Sequence, residues 1–179
     1  MIEIEKKIRL TKEQRDAVVQ RLQEVGALLV REEEFEENTI YSGGSLSRET
    51  DVLRLRRVGE RALLTFKQRV PTAAAIKHQR EEETEVADAA AMHAILELSG
   101  FTPALVYEKR RQTWAFRQTE VVIDELSFGL FMELEGEEDA IEAAERELGV
   151  DGFPTEHSTY PQLAAENGRR VGEMIEARF

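Results

Sequence analysis

Apolar and polar residues alternate along eight stretches of the chain with the period of two that is typical of β-strands. In the first stretch, Ile2, Ile4 and Ile8 fall on one face and charged residues fall on the other. The pattern predicts strands at residues 2–10, 35–41, 51–58, 61–69, 76–86, 104–116, 120–126 and 130–136. Short turns such as Gly59-Glu60 separate consecutive strands, which favours hairpins and a largely antiparallel sheet.

Four further stretches show the longer apolar period of an α-helix. The first begins at Thr11, where Gln14 gives the spacing of a capping box, and it ends at Gly26. The others are predicted from Asp88 to Gly100, from Glu137 to Leu148, and from Pro161 toward Phe179. Because strands and helices are combined in this way, the sequence predicts an α+β fold.

Composition excludes several classes of protein. The 179 residues include 24 Lys and Arg against 36 Asp and Glu, a formal net charge of −12, which argues against a nucleic-acid partner. Cysteine is absent, so disulfides and thiolate metal sites are excluded. No apolar run approaches the ~20 residues of a membrane helix, and the acidic start is unlike a signal peptide. We therefore expect a cytoplasmic protein with no membrane partner, folded as one domain over residues 1–179.

Several of the predicted strands carry like charges in pairs on the face opposite the apolar one. Arg54 and Arg56 share a face of one strand, and Glu133 and Glu135 share a face of another. On a single strand the simpler interpretation is a solvated surface, because charge also prevents edge-to-edge pairing. Recurrence on most strands favours a different interpretation, since neighbouring like charges repel each other unless each pair has an external partner. Carboxylate pairs bind Mg²⁺ or Mn²⁺, and arginine pairs bind phosphate oxygens.

The number of these charges indicates what kind of partner they bind. With Glu81 and Glu83 facing inward from strand 76–86, seven acids and seven bases share the inner side of the sheet. The acids are Glu3, Glu5, Glu81, Glu83, Asp124, Glu133 and Glu135, and the bases are Lys7, Arg54, Arg56, Lys67, Lys77, Lys109 and Arg111. Two divalent cations would leave about +4, which a triphosphate of about −4 would neutralise inside a closed barrel with a polar interior.

The same residues resemble the CYTH superfamily, the triphosphate tunnel metalloenzymes, which includes class IV adenylyl cyclases, thiamine triphosphatases and inorganic triphosphatases. Glu3, Glu5 and Lys7 match its Glu-x-Glu-x-Lys signature, and similar segments follow in order at 53–56, 64–67, 108–111, 124–125, 129–135 and 158–160. The resemblance implies an eight-stranded antiparallel β-barrel that forms a tunnel, with helices packed outside. Family members are often dimers, so a homodimer is one expectation, although no exposed apolar seam in the sequence requires it.

The resemblance also implies roles for individual residues. The metal ligands, for Mg²⁺ or Mn²⁺, would be Glu3, Glu5, Asp124, Glu133 and Glu135, and the triphosphate-binding residues would be Lys7, Arg54, Arg56, Lys67, Lys109 and Arg111. Strand 76–86 departs from the family pattern, because Gln79 stands where an arginine is expected while Lys77, Glu81 and Glu83 match. The alternative register of this strand turns Arg80 and Glu82 inward instead.

Two reactions use the same binding groups, and they differ in the nucleophile. Water would hydrolyse tripolyphosphate, ATP or thiamine triphosphate, whereas the 3′-hydroxyl of ATP would give cyclic AMP and pyrophosphate. Val52 stands where a thiamine-specific member would place a tryptophan, which argues against thiamine triphosphate as the substrate. Cyclisation also needs an adenine pocket, and none is recognisable, so we favour hydrolysis over a class IV adenylyl cyclase. The alternative from another class is a non-catalytic binder of polyphosphate or nucleotides, which would not need five metal-binding carboxylates.

Overall fold

The computed structural model describes residues 2–47, 49–70 and 77–179, without the side chains of Ile2, Glu3, Val70, Lys77 and His78. Within these ranges the chain forms ten strands and four helices. In chain order they are β1 (Ile2–Leu10), α1 (Lys12–Glu24), β2 (Leu28–Gly43), β3 (Asp51–Val58), β4 (Arg61–Val70), β5 (Lys77–Val86), α2 (Ala89–Leu98), β6 (Phe101–Phe116), β7 (Thr119–Leu126), β8 (Gly129–Glu135), α3 (Glu138–Leu148), α4 (Tyr160–Asn167), β9 (Arg169–Val171) and β10 (Met174–Ala177).

The first eight strands form one antiparallel ring. Their order in the sheet is β2-β3-β4-β5-β1-β8-β7-β6, and β6 pairs back with β2. Each of these strands has an antiparallel neighbour on both sides, so the sheet curls around an enclosed space. The predicted α+β fold with an eight-stranded antiparallel tunnel is confirmed.

The apolar faces of the strands point outward and are covered by helices. Helices α1 and α3 pack on β1 and β6–β8, where Leu22 joins Ile8 and Met132 in one buried cluster. Helix α2 packs on the opposite side, where Leu96 contributes to a cluster with Leu55 of β3. Because the hydrophobic core lies between the helices and the sheet, the charged faces of the strands are left to line the interior of the ring.

Strand β2 begins earlier than its alternation predicts, at Leu28 instead of residue 35. Residues 31–34 are all charged, so they show no period of two. They nevertheless pair with β6, with register shifts between Leu29 and Arg31 and between Arg31 and Glu34. Irregular pairing of this kind removes the regular alternation that a sequence pattern can detect.

The helix predicted from Pro161 toward Phe179 is wrong beyond Asn167. The chain turns at Gly168, where an added Cβ would lie 2.6 Å from the carbonyl oxygen of Ala164, and it turns again at Gly172, which has a φ of +63°. Strands β9 and β10 follow α4, and β10 pairs in parallel with residues 105–107 of β6. Strand β6 has 16 residues and β7 has only 8, so β6 extends beyond β7 and offers a free edge that β10 fills.

None of the described helices is both long enough and apolar enough to cross a membrane; the longest of them, α1, has 13 residues.

Candidate functional site

The inner face of the ring encloses a cavity of about 950 Å³, which we call the tunnel. Every strand from β1 to β8 contributes a charged or polar side chain to its wall, and β7 does so through Glu120. These side chains include Glu5, Lys7, Glu36, Arg54, Arg56, Lys67, Gln79, Glu81, Glu83, Lys109, Arg111, Glu133 and Glu135. Two predicted site residues, Glu3 and Lys77, have side chains outside the described part of the structure.

Strand β5 faces the tunnel in the register that places Gln79, Glu81 and Glu83 inward. Opposite it on β4, the Nζ of Lys67 lies 2.8 Å from Oε2 of Glu81. In the alternative register Arg80 and Glu82 would be inward, but their side chains are 60% and 58% exposed and pair with each other. Glu82 also borders the cavity, whereas Glu83 accepts a hydrogen bond from the buried Thr65 at 2.7 Å. The glutamine at position 79 therefore replaces a cation of the family pattern at the tunnel wall.

Three carboxylates meet at one place on the tunnel wall. Antiparallel pairing of β1 with β8 sets Glu5 opposite Glu135 and Lys7 opposite Glu133. One carboxylate oxygen from each of Glu5, Glu133 and Glu135 lies within 4.8 Å of the others. Oxygen donors of this type and number fit a hard divalent cation such as Mg²⁺ or Mn²⁺.

Asp124 lies outside this three-carboxylate cluster and holds Arg111 in place. Arg111 donates two hydrogen bonds to Asp124, from Nε to Oδ1 at 2.8 Å and from Nη2 to Oδ2 at 2.7 Å. The same Nη2 donates to Oε2 of Glu133 at 2.8 Å. Burial alone would raise the pKa of Asp124, but Arg111 and Lys109 hold it below its usual range. The paired carboxylates thus fix the guanidinium group of Arg111 at the wall of the tunnel.

Tyr160, at the start of α4, closes one end of the tunnel. Its hydroxyl donates to Oδ2 of Asp124 at 2.7 Å, and Nζ of Lys7 lies 3.8 Å from the centre of its ring. Its ring joins Tyr107 and Phe131, from the inner faces of β6 and β8, in an apolar cluster that includes residues of α4. The sequence indicated this segment only through the Ser158–Tyr160 resemblance, because no periodic pattern shows that the first residue of a helix enters a barrel.

Two arginines on β3 reach into the tunnel from the side opposite the carboxylate cluster. Nη2 of Arg54 donates to Oγ1 of Thr65 at 3.3 Å and lies 3.8 Å from Oε2 of Glu83. The Nε atoms of Arg54 and Arg56 are buried, and neither has a hydrogen-bond partner within the part of the chain that the structure describes. Buried donors of this kind need an acceptor, so the arrangement leaves capacity for phosphate oxygens.

Glu36 is a tunnel residue that the sequence analysis missed. Its Oε2 lies 3.4 Å from Nζ of Lys109 and 3.5 Å from Nε of Arg56, and the residue is only 2% exposed. Burial alone would raise its pKa, and Asp124 nearby has the same effect. Lys109, Arg56 and Arg111 together outweigh them and lower the pKa to about 2. No alternation reveals Glu36, because residues 32–37 are all glutamates except Phe35 and place charges on both faces of β2.

Glu36 should make the stability of the fold depend on pH. A carboxylate with a pKa of about 2 when folded and 4.5 when unfolded stabilises the fold fully above pH ~4.5, and this contribution is lost as the pH falls toward 2. We expect Glu36→Gln to lower the free energy of unfolding by up to about 3 kcal/mol near pH ~7, and by less than half as much near pH ~3. Urea unfolding of both proteins at the two pH values measures this. An equal difference at both would contradict the prediction.

Comparison with known proteins identifies relatives of this architecture. A family model of the CYTH domain matches residues 1–154. Among solved structures, PH1012 from Pyrococcus horikoshii OT3 superposes with a TM-score of 0.77 at 22% identity, covering 90% of this chain and 98% of that one. A candidate adenylate cyclase from Vibrio parahaemolyticus gives 0.73 at 20% identity, with coverages of 92% and 98%.

An activity is described for a further structural neighbour. HpAC1 from Hippeastrum, a candidate adenylyl cyclase for which a dominant triphosphatase activity is described, gives a TM-score of 0.67 at 19% identity. It covers 96% of this chain and 98% of its own. At these identities the likeness to the solved structures shows the fold alone. No curated protein sequence matches the chain.

Proposed function

Because the chain belongs to the CYTH domain family, we propose that it is a divalent-metal-dependent enzyme that hydrolyses the triphosphate group of an inorganic or organic triphosphate. The observation that carries this proposal is the tunnel itself, in which a cluster of three carboxylates faces six basic side chains in an enclosed space of about 950 Å³. The described activity of HpAC1 is of the same kind.

The six bases would bind the phosphate oxygens. They are Lys7, Arg54, Arg56, Lys67, Lys109 and Arg111, and they come from four different strands. Arginine can contact two phosphate oxygens at once, and lysine contributes a compact charge. Since phosphoryl transfer depends mainly on positioning and on neutralising charge, groups arranged around a linear triphosphate supply what the reaction requires.

The carboxylate cluster would hold the metal through Glu5, Glu133 and Glu135, and we propose Glu3 and Asp124 as further ligands. The donor set of oxygens fits Mg²⁺ or Mn²⁺ better than a soft metal. A metal bound there would neutralise phosphate charge and lower the pKa of a coordinated water. Glu133 also pairs with Lys7 at 3.2 Å and with Arg111 at 2.8 Å, so it links this cluster to the phosphate-binding side chains.

In the proposed hydrolysis the oxygen of a water molecule attacks a terminal phosphorus atom and the bridging P–O bond breaks. Tripolyphosphate then gives phosphate and pyrophosphate, and the proton of the attacking water passes to the solvent. Negative charge develops on the leaving oxygen, and Arg111 is suited to stabilise it because Asp124 and Glu133 already fix its orientation. The apolar cluster around Tyr160 closes one end of the tunnel to water. The fixed orientation of Arg111 and the closed end of the tunnel both reduce the rearrangement of side chains and water that the reaction needs.

The side chains of the tunnel favour an inorganic triphosphate over a nucleotide. Among the described residues that line it, the aromatic ones are Tyr107 and Tyr160, both at the closed end. An adenine or thiamine ring would gain most of its binding energy from an aromatic or apolar platform near the open mouth. The described wall is instead dominated by charge, which suits tripolyphosphate.

One assay separates the candidate reactions. Purified protein is given tripolyphosphate, ATP and thiamine triphosphate in turn, each with Mg²⁺ or Mn²⁺, and both phosphate release and cyclic AMP are measured. We expect phosphate from tripolyphosphate, no cyclic AMP, and no activity after chelation of the metal. Cyclic AMP and pyrophosphate from ATP would replace hydrolysis with a cyclase reaction. Binding of tripolyphosphate without turnover of any substrate would indicate a non-catalytic binding module.

A further inference from the structure

Each of the six basic side chains of the tunnel is paired with a carboxylate of the chain. The pairs are Lys7 with Glu133, Arg54 with Glu83, Arg56 with Glu36, Lys67 with Glu81, Lys109 with Glu36 and Asp124, and Arg111 with Asp124 and Glu133. A phosphate that enters the tunnel must therefore compete with carboxylates for these cations. A carboxylate that loses its cation to phosphate is left as an uncompensated buried charge unless another cation, such as a bound metal ion, takes its place.

Glu36 differs from the other carboxylates at the buried end of the tunnel. Glu133 belongs to the proposed metal site, where a divalent cation would offset its charge. Glu36 lies outside that cluster, and its ion pairs within the described structure are with Lys109 and Arg56. Since it is only 2% exposed, it cannot turn into solvent when a phosphate approaches.

We propose that Glu36 is a specificity-determining residue, whose carboxylate competes with phosphate for Lys109 and Arg56 and so lowers the affinity of the tunnel most for highly charged polyphosphates. This inference rests on the proposed function, because it takes a polyphosphate as the ligand of the tunnel.

The distances around Glu36 indicate that its carboxylate competes with phosphate for Lys109 and Arg56 rather than holding these two side chains in position. Charge-assisted hydrogen bonds that fix a side chain are usually ~2.7–2.9 Å long. The contacts from Glu36 to Lys109 and Arg56 are 3.4 and 3.5 Å, and no described residue forms a hydrogen bond with Nε of Arg56. Both cations can thus form shorter contacts to another anion, and the fixed charge of Glu36 would repel that anion.

Repulsion by one fixed charge grows with the charge of the ligand beside it, and it is strong where water is excluded. Tripolyphosphate should therefore be penalised more than pyrophosphate. Glutamine at position 36 removes the charge but keeps the size of the side chain and an oxygen that can accept from Lys109. The variant Glu36→Gln thus separates electrostatic competition from packing.

The test is a calorimetric titration of the natural protein and of Glu36→Gln with tripolyphosphate and with pyrophosphate, in the presence of a chelator. We expect the variant to bind tripolyphosphate about tenfold more tightly, with a smaller gain for pyrophosphate. Tripolyphosphate should also raise the melting temperature of the variant more than that of the natural protein. A residue with only a structural role would shift the melting temperature equally with and without polyphosphate.

Glu37→Gln is the matched control, because Glu37 is the next residue on β2 and its carboxylate pairs with Arg178 on the outside of the ring. Its affinity for both ligands should equal that of the natural protein. Unchanged or weaker binding by Glu36→Gln would overturn the inference, and weaker binding would make Glu36 a positioning residue. If Glu36→Gln folds only when tripolyphosphate is present, the inference is supported; if it fails to fold even then, the inference is overturned.

Failure of the proposed function gives a different result. Tighter binding by Glu36→Gln, without phosphate release by the natural protein in Mg²⁺ or Mn²⁺, would overturn hydrolysis and support the role of Glu36. If neither the natural protein nor Glu36→Gln binds tripolyphosphate, both the proposed function and the proposed role of Glu36 are overturned.

Discussion

Replacing Glu133 with glutamine is expected to lower the rate of tripolyphosphate hydrolysis by ~100-fold or more. Glu133 belongs to the three-carboxylate cluster and also contacts Lys7 and Arg111, so one substitution affects the proposed metal site and the phosphate-binding groups together. Burial alone would raise the pKa of its carboxyl group, but the opposite effect of Lys7 and Arg111 is larger and lowers the pKa below its usual value. The side chain is therefore charged at neutral pH. Glutamine keeps the volume and loses only that charge. Phosphate release with saturating Mg²⁺ or Mn²⁺ measures the effect.

The control for this variant is Glu125→Gln. Glu125 lies on β7 beside Asp124 but belongs to the outer face, where its side chain is 42% exposed and pairs with Arg110. It should retain the natural rate, and circular dichroism should show that both variants are folded. A Glu133→Gln variant that turns over tripolyphosphate at the natural rate would remove Glu133 from the proposed metal site.

The double substitution of Arg54 and Arg56 by alanine should weaken the binding of tripolyphosphate by ~100-fold or more. A charge-assisted hydrogen bond contributes ~1.5–3 kcal/mol, and each ~1.4 kcal/mol changes a dissociation constant tenfold. Both guanidinium groups line the tunnel, and both have a buried Nε that finds no hydrogen-bond partner among the described residues. Calorimetric titration with tripolyphosphate in the presence of a chelator measures the change without turnover.

Arg57→Ala provides the matched control on the same strand, since Arg57 is exposed and lies on the opposite face from Arg56. It removes one positive charge from the protein without changing the tunnel wall. Its affinity should be close to that of the natural protein. Equal affinity of the double variant and the natural protein would exclude Arg54 and Arg56 from the phosphate-binding site.

The fold and most of the tunnel wall could be predicted because a strand has a strict period of two. Once Leu53 and Leu55 are assigned to the outer face, Arg54 and Arg56 must lie on the inner one, and the structure places them there. The repetition of this pattern on several strands indicates a charged interior, and the resemblance to the CYTH superfamily implies the eight-stranded tunnel that contains it.

Other parts of the site depend on information that alternation does not contain. Glu36 is hidden because charges occupy both faces of β2, and only pairing with β3 and β6 brings it beside Arg56 and Lys109. The register of β5 is ambiguous for the same reason. Tyr160 enters the barrel from a helix, so its position is set by tertiary packing. The apolar spacing after Pro161 is compatible with a helix. Gly168 and Gly172 instead allow the chain to turn, and the free edge of β6 pairs with the segment that follows, so β9 and β10 form there.

The position of β1 in the ring has a consequence for how the chain folds. Its two neighbours are β5 and β8, so β1 cannot complete its pairing until residues up to 135 have been synthesised. Contacts this distant in sequence make folding slow, and an unpaired strand is prone to associate with other chains during that time. The alternating Glu5 and Lys7 make β1 a poor partner for intermolecular pairing, because a charged edge resists it. The charges that we assign to ligand binding in the mature barrel would thus protect the nascent chain from aggregation before the ring closes.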